Sequence, residues 1–396
     1  MLADLLMTQI SVCKGIDMNV HAQADKEHKK SLLLVDVSWN HTLHLANDLS
    51  DAGFKVFFLG DGSCKAHWLP DGVISLPRAP MSPDKIIGSI DAAVKAVKPD
   101  FVMPISEETL FRIWDESPDW LHLVQPVVEP ERRALYRSKH LLGAFVHGHG
   151  VLIPATCLLE KGTLEEITPI ISNLGLPAVV KGAGGVGGLQ VKIVESCDEA
   201  LKAVTALRHL TGSCPALQEF LPGPTYLVGG LFDRGRPVHM LAAEKTEMYP
   251  PRTGPAISLK SSCDPELIEA AAKVFGALGH TGIASADFVR GADGHFRFLE
   301  VNPRFWGSYG FAKTIGIDLV GSWCRLLCGE QLPTAVGHPA GRCWAKMPDY
   351  LLVPPLTRVN ILRRALHPLA IRSWHWHAPA ILTHQLRKAW YALRMA

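Results

Sequence analysis

Along the first third of the chain, short apolar runs alternate with stretches of helical period. The run "SLLLVDV" (31–37) reads as a buried strand and is followed by a helical-period stretch and then "FKVFFL" (54–59). "GVISL" (72–76), a helical stretch from Pro83 to Val97 and "DFVMPI" (100–105) continue the alternation. Strands separated by helices predict a parallel sheet with helices on its faces, here over residues 31–129. The first strand leads into "DVSWNH", which lacks the glycines of a dinucleotide fingerprint, so no dinucleotide site is expected there.

Beyond Glu129 the pattern changes. Glu131 to Gly148 reads as one helix with Lys139 near its middle, followed by a strand near 155–159 and a helix over 163–174. "PAVVK" (177–181) and "LQVKIV" (189–194) read as strands on either side of a glycine-rich loop, "DEALKAVTALRHL" (198–210) as an amphipathic helix and "PALQEFL" (215–221) as a strand. Several strands are expected over 226–259, a helix over 264–278, and two strands around "RGADGH" (290–295). The divisions that follow are 1–30, a loose leader ending in "HAQADKEHKK"; 31–129; 130–216; 217–330; and 331–396.

Five of the seven residues from Gly182 to Gly188 are glycine. The loop joins strand to strand, so it is neither a P-loop nor a dinucleotide turn, both of which open a helix. A glycine hairpin can instead fold over a polyphosphate and offer backbone N–H groups, because no Cβ blocks the approach. Lys181 would add a point charge to the same phosphates. A flexible surface hairpin with a solvated lysine is the plain alternative.

Asp293-Gly294 is a two-residue turn signal between alternating strands. With Ala292 facing His295, Asp287 falls opposite Glu300 and Ser285 opposite Asn302, and Glu300 and Asn302 share a face. Like charges directly across a sheet repel, and oxygen ligands suit Mg²⁺ or Mn²⁺, so these three residues form a candidate metal site. A capped turn with one solvated carboxylate is the alternative. Arg304, just past Pro303, could make a bidentate contact with a carboxylate or phosphoryl group, with a surface ion pair as the alternative.

Composition narrows the picture. The 396 residues are 47% hydrophobic and 20% charged, which predicts a folded protein of two or three domains. A net charge of +2 gives no indication of nucleic acid as a partner. The nine cysteines are scattered, without CxxC spacing, and suit reduced thiols. With no apolar run long enough to span a membrane and no secretion signal, the expected location is cytoplasmic. Residues 351–396 hold no Asp or Glu, seven Lys or Arg, and Trp374, Trp376, Trp390 and Tyr391. Peripheral contact with an anionic membrane and packing of these aromatics on the body are both open, with packing preferred. His367, His375, His377 and His384 read as polar surface or core groups.

In their order, "PAVVKGAGGVGG", "LQEFLPGPTYLVGGLF" and "FRFLEVNPRFWGS" resemble the ATP-grasp superfamily over about Ser31 to Cys328. "EKTEMYPPRTGPAIS" is similar to the carbamoyl-phosphate-synthetase-like carboxylate–amine ligases, whereas "RFWGSYG" stands where a biotin carboxylase would carry a QVEH-type sequence. The resemblance implies an α/β and α+β chain with the ATP-grasp fold, an N-terminal parallel α/β (pre-ATP-grasp) domain and a helical basic C-terminal extension. It implies ATP and Mg²⁺ (or Mn²⁺) as cofactors, with Lys139 and Lys181 as ATP lysines and Gly184, Gly185, Gly187 and Gly188 in a lid over the phosphates. Gln218, Glu219, Phe220 and Leu221 would form the adenine hinge. Asp287, Glu300 and Asn302 match the metal ligands, Arg304 the arginine of the transferred phosphoryl group, and Lys245 a basic residue facing the γ-phosphate or substrate. Thr225 stands where relatives often carry a ribose-binding acid. The implied reaction joins a small carboxylate to an amine through an acyl phosphate. An ATP-grasp kinase acting on a hydroxyl and a nucleotide-binding module without turnover are the alternatives. Glu107 and Glu108 are candidate contacts for the amine, or simply an acidic first helical turn, and a homodimer is a family-level expectation.

Overall fold

The computed structural model describes residues 29–395 apart from 36–39, 61–71, 78, 81, 83, 183–189, 214, 335–336, 348, 375 and 377–378. The leader expected over 1–30 and the four loop glycines therefore lie almost wholly outside the described residues. Strands β1 (Ser31–Val35), β2 (Lys55–Leu59), β3 (Val73–Ser75) and β4 (Phe101–Pro104) form a parallel sheet in the order β3-β2-β1-β4. Between and after them run α1 (Asn40–Asp51), α2 (Ile86–Val97) and α3 (Glu107–Glu116). In β1 the side chains alternate between two cores: Leu33 and Val35 join one, Leu32 and Leu34 the other. A strand covered on both faces reads as a continuous apolar run, and "SLLLV" does so.

The single helix expected over Glu131–Gly148 is two, α4 (Pro130–Arg137) and α5 (Lys139–His147). Ser138 takes an extended backbone between them, and its hydroxyl accepts from Leu141 N at 3.2 Å. A serine that caps is a helix start, not an interior position, so Lys139 becomes the first residue of α5. A four-stranded antiparallel sheet follows, ordered β5-β8-β6-β7, from β5 (Thr156–Leu158), β6 (Ala178–Lys181), β7 (Val191–Val194) and β8 (Ala216–Glu219). Helices α6 (Leu164–Leu174) and α7 (Cys197–Thr211) close its own core, which includes Ile167, Val180, Val204 and Leu217.

The second antiparallel sheet has the order β13-β12-β9-β10-β11-β14. Its strands are β9 (Thr225–Asp233), β10 (Arg236–Met248), β11 (Ala256–Ser262), β12 (Gly282–Arg290), β13 (Phe296–Asn302) and β14 (Cys343–Ala345), with α8 (Pro265–Leu278) between β11 and β12. One face shares the Leu33 core with α8, and the other shares the Leu32 core with α9 (Phe311–Thr314) and α10 (Leu319–Leu327). The parallel sheet is thus joined to this one through both of its faces. Gly229 in β9 lies against the Trp306 ring, where any Cβ would collide. Helices α11 (Arg358–Ala365), α12 (Pro368–Ser373) and α13 (Pro379–Met395) complete the described chain.

Candidate active site

The β12–β13 hairpin places Asp287 opposite Glu300 and Ser285 opposite Asn302. The route to that register differs from the two-residue turn read from Asp293-Gly294. Gly291, not Ala292, faces His295, with Gly291 N donating to His295 O at 2.8 Å and Gly294 N to Gly291 O at 3.0 Å. Gly294 is left-handed at φ +87°, so the loop is three residues long, a turn followed by a glycine that supplies the positive φ. Near the loop the pairing is consequently shifted by one, with Arg290 opposite Phe296 and Phe288 opposite Phe298. Leu299 is then an extra residue, a β-bulge, and the shift is undone at Asp287 and Glu300. Lys181 Nζ donates to the Leu299 carbonyl at 3.0 Å, so the residue that restores the register also anchors a lysine from the other sheet.

Each carboxylate already has a cation. Lys139 Nζ stands 2.7 Å from Glu300 Oε2, and Lys245 Nζ reaches across β9 to within 2.5 Å of Asp287 Oδ2. Ammonium groups therefore offset the repulsion that the sequence reading assigned to a divalent ion alone. Three lysines face two carboxylates. Burial would raise Glu300, but the charge of Lys139 and then of Lys181 outweighs it and holds the carboxyl down at about 2. Asp287 moves the opposite way: burial pushes its carboxyl up despite Lys245, and the charge on Glu300 pushes it further. Burial lowers Lys181 to about 8, and the Lys139 charge adds to the effect. For Lys139, burial works downward but the ion pair with Glu300 prevails, and the ammonium is held above its ordinary range. Opposed shifts of neighbouring titratable groups in one cleft occur in functional sites and in structural ion-pair networks alike, and the cavity beside these groups favours the former.

A cavity of about 140 Å³ opens between the two antiparallel sheets. Lys139, Lys181, Gln218, Glu219, Phe220, Leu221, Thr225, Lys245, Asp287 and Glu300 line it, all of them singled out in the sequence. The Gln218 side chain is buried and donates to Thr156 Oγ1 at 2.8 Å, while Glu219 Oε1 accepts from Ala155 N at 3.1 Å. Thr225 donates to Met248 Sδ at 3.4 Å, a weak partner for a hydroxyl. Met248 and Arg252 also line the cavity and were given no role in the sequence reading. Arg252 sits at φ +67° with its guanidinium 5.9 Å from the Phe220 ring. Its place in "EMYPPRTGP", a proline- and glycine-bounded loop, was the available signal.

Asn302 and Arg304 lie beside the cavity rather than in its lining. Arg304 is 5% exposed and is no surface ion pair: its Nε lies 3.1 Å from Glu107 Oε1, and its Nη2 donates to Asn302 Oδ1 at 3.4 Å. Glu107 occupies the first turn of α3, which Ser106 caps, so it is both a helix-start acid and a contributor to this cluster. Burial raises its carboxyl pKa against the pull of Arg304. Among the described residues no three His, Cys, Asp or Glu groups form a metal cage. The oxygen set of Asp287, Glu300 and Asn302 nevertheless suits a hard cation that keeps other ligands. Asp287 Oδ1 supplies a specific reason: it is buried and has no hydrogen-bond partner among the described residues.

The model of the ATP-grasp domain family matches residues 137–308. A biotin carboxylase of Nostoc sp. is 22% identical over 182 residues, 43% of this chain and 41% of that protein. The C-terminal section of the carbamoyl phosphate synthase large chain of Methanocaldococcus jannaschii is 24% identical over 210 residues, 48% of this chain and 33% of that one. The chain thus spans well under half of these curated relatives. The crystal structure of an L-amino acid ligase from Bacillus licheniformis superposes with a TM-score of 0.60 at 19% identity, covering 76% of this chain and 74% of that one. That likeness extends the shared fold well beyond the matched domain.

Proposed function

We propose that this chain, whose residues 137–308 match the ATP-grasp domain family, is an ATP-dependent ligase joining a small carboxylate to an amine. The observation that carries this reading is the cavity in which Lys139, Lys181 and Lys245 surround Asp287 and Glu300, with the buried Arg304 beside it. Its three ammonium groups match a polyphosphate in charge and its carboxylates match a hard divalent ion. Bound Mg²⁺, or Mn²⁺, would be held by Asp287, Glu300 and Asn302 and would supply charge neutralisation at the phosphates.

The chain's own residues then have distinct tasks. Lys139 and Lys181 exchange their present acceptors, Glu300 and the Leu299 carbonyl, for phosphate oxygens. The backbone of Gln218 to Leu221 borders the base, and the Thr225 hydroxyl turns from Met248 to the ribose. The loop bearing Gly184, Gly185, Gly187 and Gly188 would cover the phosphates and keep water away. Arg304 orients the substrate carboxylate as its oxygen takes the γ-phosphoryl group and ADP leaves, and Lys245 balances the charge that moves. Attack by the amine on the acyl phosphate then forms the amide and expels phosphate. The finer parts of the reading, a pre-ATP-grasp role for residues 31–129, a cytoplasmic location and a homodimer, belong to the same proposal.

The test is phosphate release from ATP and Mg²⁺ across pooled carboxylates and amines. Release that requires both partners, with an amide as product, supports the ligase. A stable phosphorylated alcohol, or nucleotide binding with no turnover across the pools, would replace it by the kinase or by the binding module.

A further inference from the structure

We propose that the helices over 358–395 form a docking surface for an anionic lipid bilayer. The expected packing of the aromatics on the body holds for Trp374, which is 9% exposed and joins Ile257, Ala345 and Ala370 in a small core. It fails for Trp376, Trp390 and Tyr391, each more than half exposed.

The exposure has a helical order. Helix α11 buries Ile361 and turns Val359 and Leu362 to solvent, and the same stripe continues to Leu366. These three follow at spacings of three and four, one face of a helix, with Arg363 on that face too. Helix α13 repeats the arrangement: Ile381, Gln385 and Ala392 are buried, while Leu386, Trp390 and Tyr391 are exposed beside Arg387 and Arg394. The Arg394 guanidinium lies 3.7 Å from the Trp390 ring centre. Two helices packed by their inner sides thus present a second apolar stripe outward. A helix exposed only to water has no use for it.

Charge selects the occupant. Residues 351–396 carry seven Lys or Arg and no Asp or Glu, while the chain as a whole is near neutral at +2. Interleaved arginine, tryptophan and leucine on short helices match the boundary between anionic headgroups and acyl chains, where apolar side chains sink and guanidinium groups stay with phosphate. No helix among the described residues is long and apolar enough to cross a membrane, so the contact is with the surface.

The full chain should sediment with phosphatidylcholine vesicles that contain about one third phosphatidylglycerol, and not with phosphatidylcholine alone. Binding should fall several-fold between roughly 0.05 and 0.5 M salt. The triple variant Arg387→Ser, Lys388→Ser, Arg394→Ser should bind about tenfold or more weakly, and Leu386→Ser with Trp390→Ser should also weaken it at low salt. Equal binding to neutral vesicles, no binding to anionic ones, or binding that both variants retain overturns the proposal. So does a Trp390→Asp variant that converts a dimer to a monomer, which would make this face a contact between copies.

Discussion

Glu300 is the residue on which most of the site's electrostatics converge, since Lys139, Lys181 and Lys245 all pull its carboxyl downward. Its replacement by alanine should leave the hairpin folded and reduce turnover by about three orders of magnitude, the scale of a lost electrostatic group in a dry site. Circular dichroism beside a phosphate-release assay checks both halves, and wild-type rates would remove Glu300 from the chemistry. His280 makes a separate prediction. It is fully buried, its Nδ1 lies 2.9 Å from the Tyr136 hydroxyl, and burial lowers its pKa to about 4. The folded state therefore holds it neutral, while the unfolded chain takes up a proton near its ordinary value. Its contribution is complete above about pH 6.5 and fades as pH falls toward 4, by roughly 3 kcal/mol at pH 4. The difference in unfolding free energy between wild type and His280→Gln, taken from urea melts at pH 7 and at pH 4, should change by that amount, and parallel curves would refute it. Nothing in the sequence marks this histidine, because its partners come from α4 and from the sheet around Phe232.

At the scale of elements, what was legible is what local pattern encodes. β6, β7, β8 and the paired strands β12 and β13 follow from alternation and turn residues, and with them the facing of Asp287 and Glu300. That pairing was nonetheless reached through a turn one residue too short and a strand one residue too regular, and the two errors cancelled. A bulge is invisible to period-two reasoning because its cause is tertiary: Leu299 offers its carbonyl to Lys181, and Phe298 N donates to Leu152 O at 2.8 Å. The break at Ser138 was missed for the opposite reason, since an apolar period continues through it although a capping residue stands there. Ser138→Ala should destabilise the fold by about 1 kcal/mol, while Ser138→Thr should largely restore it. Because Lys139 begins the capped helix, the alanine variant should also raise KM for ATP more than it lowers kcat. An unchanged KM would separate the cap from the site.

At the scale of the whole molecule, the arrangement of cores decides which parts respond together. Residues 31–129 read in the sequence as a unit of their own. In the structure their parallel sheet shares one core with Phe288, Phe298 and α8, and another with Phe305, Trp306 and Trp323. The contact of Glu107 with Arg304 carries this union into the site, so the same packing that stabilises the fold brings a carboxylate from α3 to the guanidinium after β13. The β5-β8-β6-β7 sheet keeps a core to itself, and a contact that ties it to β13 at the cavity is the bond from Lys181 to the Leu299 carbonyl. The continuous apolar run of β1 shows that both its faces are covered but not by what, which is why the sequence alone suggested a boundary. Phe288 is fully buried in the shared core, and Phe288→Ala should cost about 3–5 kcal/mol. Because the packing is continuous, hydrogen exchange in this variant should accelerate together in β1 and in β9, while α7 keeps its protection. Acceleration confined to β9 and β12 would make the parallel sheet an independent domain, and the Glu107–Arg304 contact would then join two bodies that unfold separately.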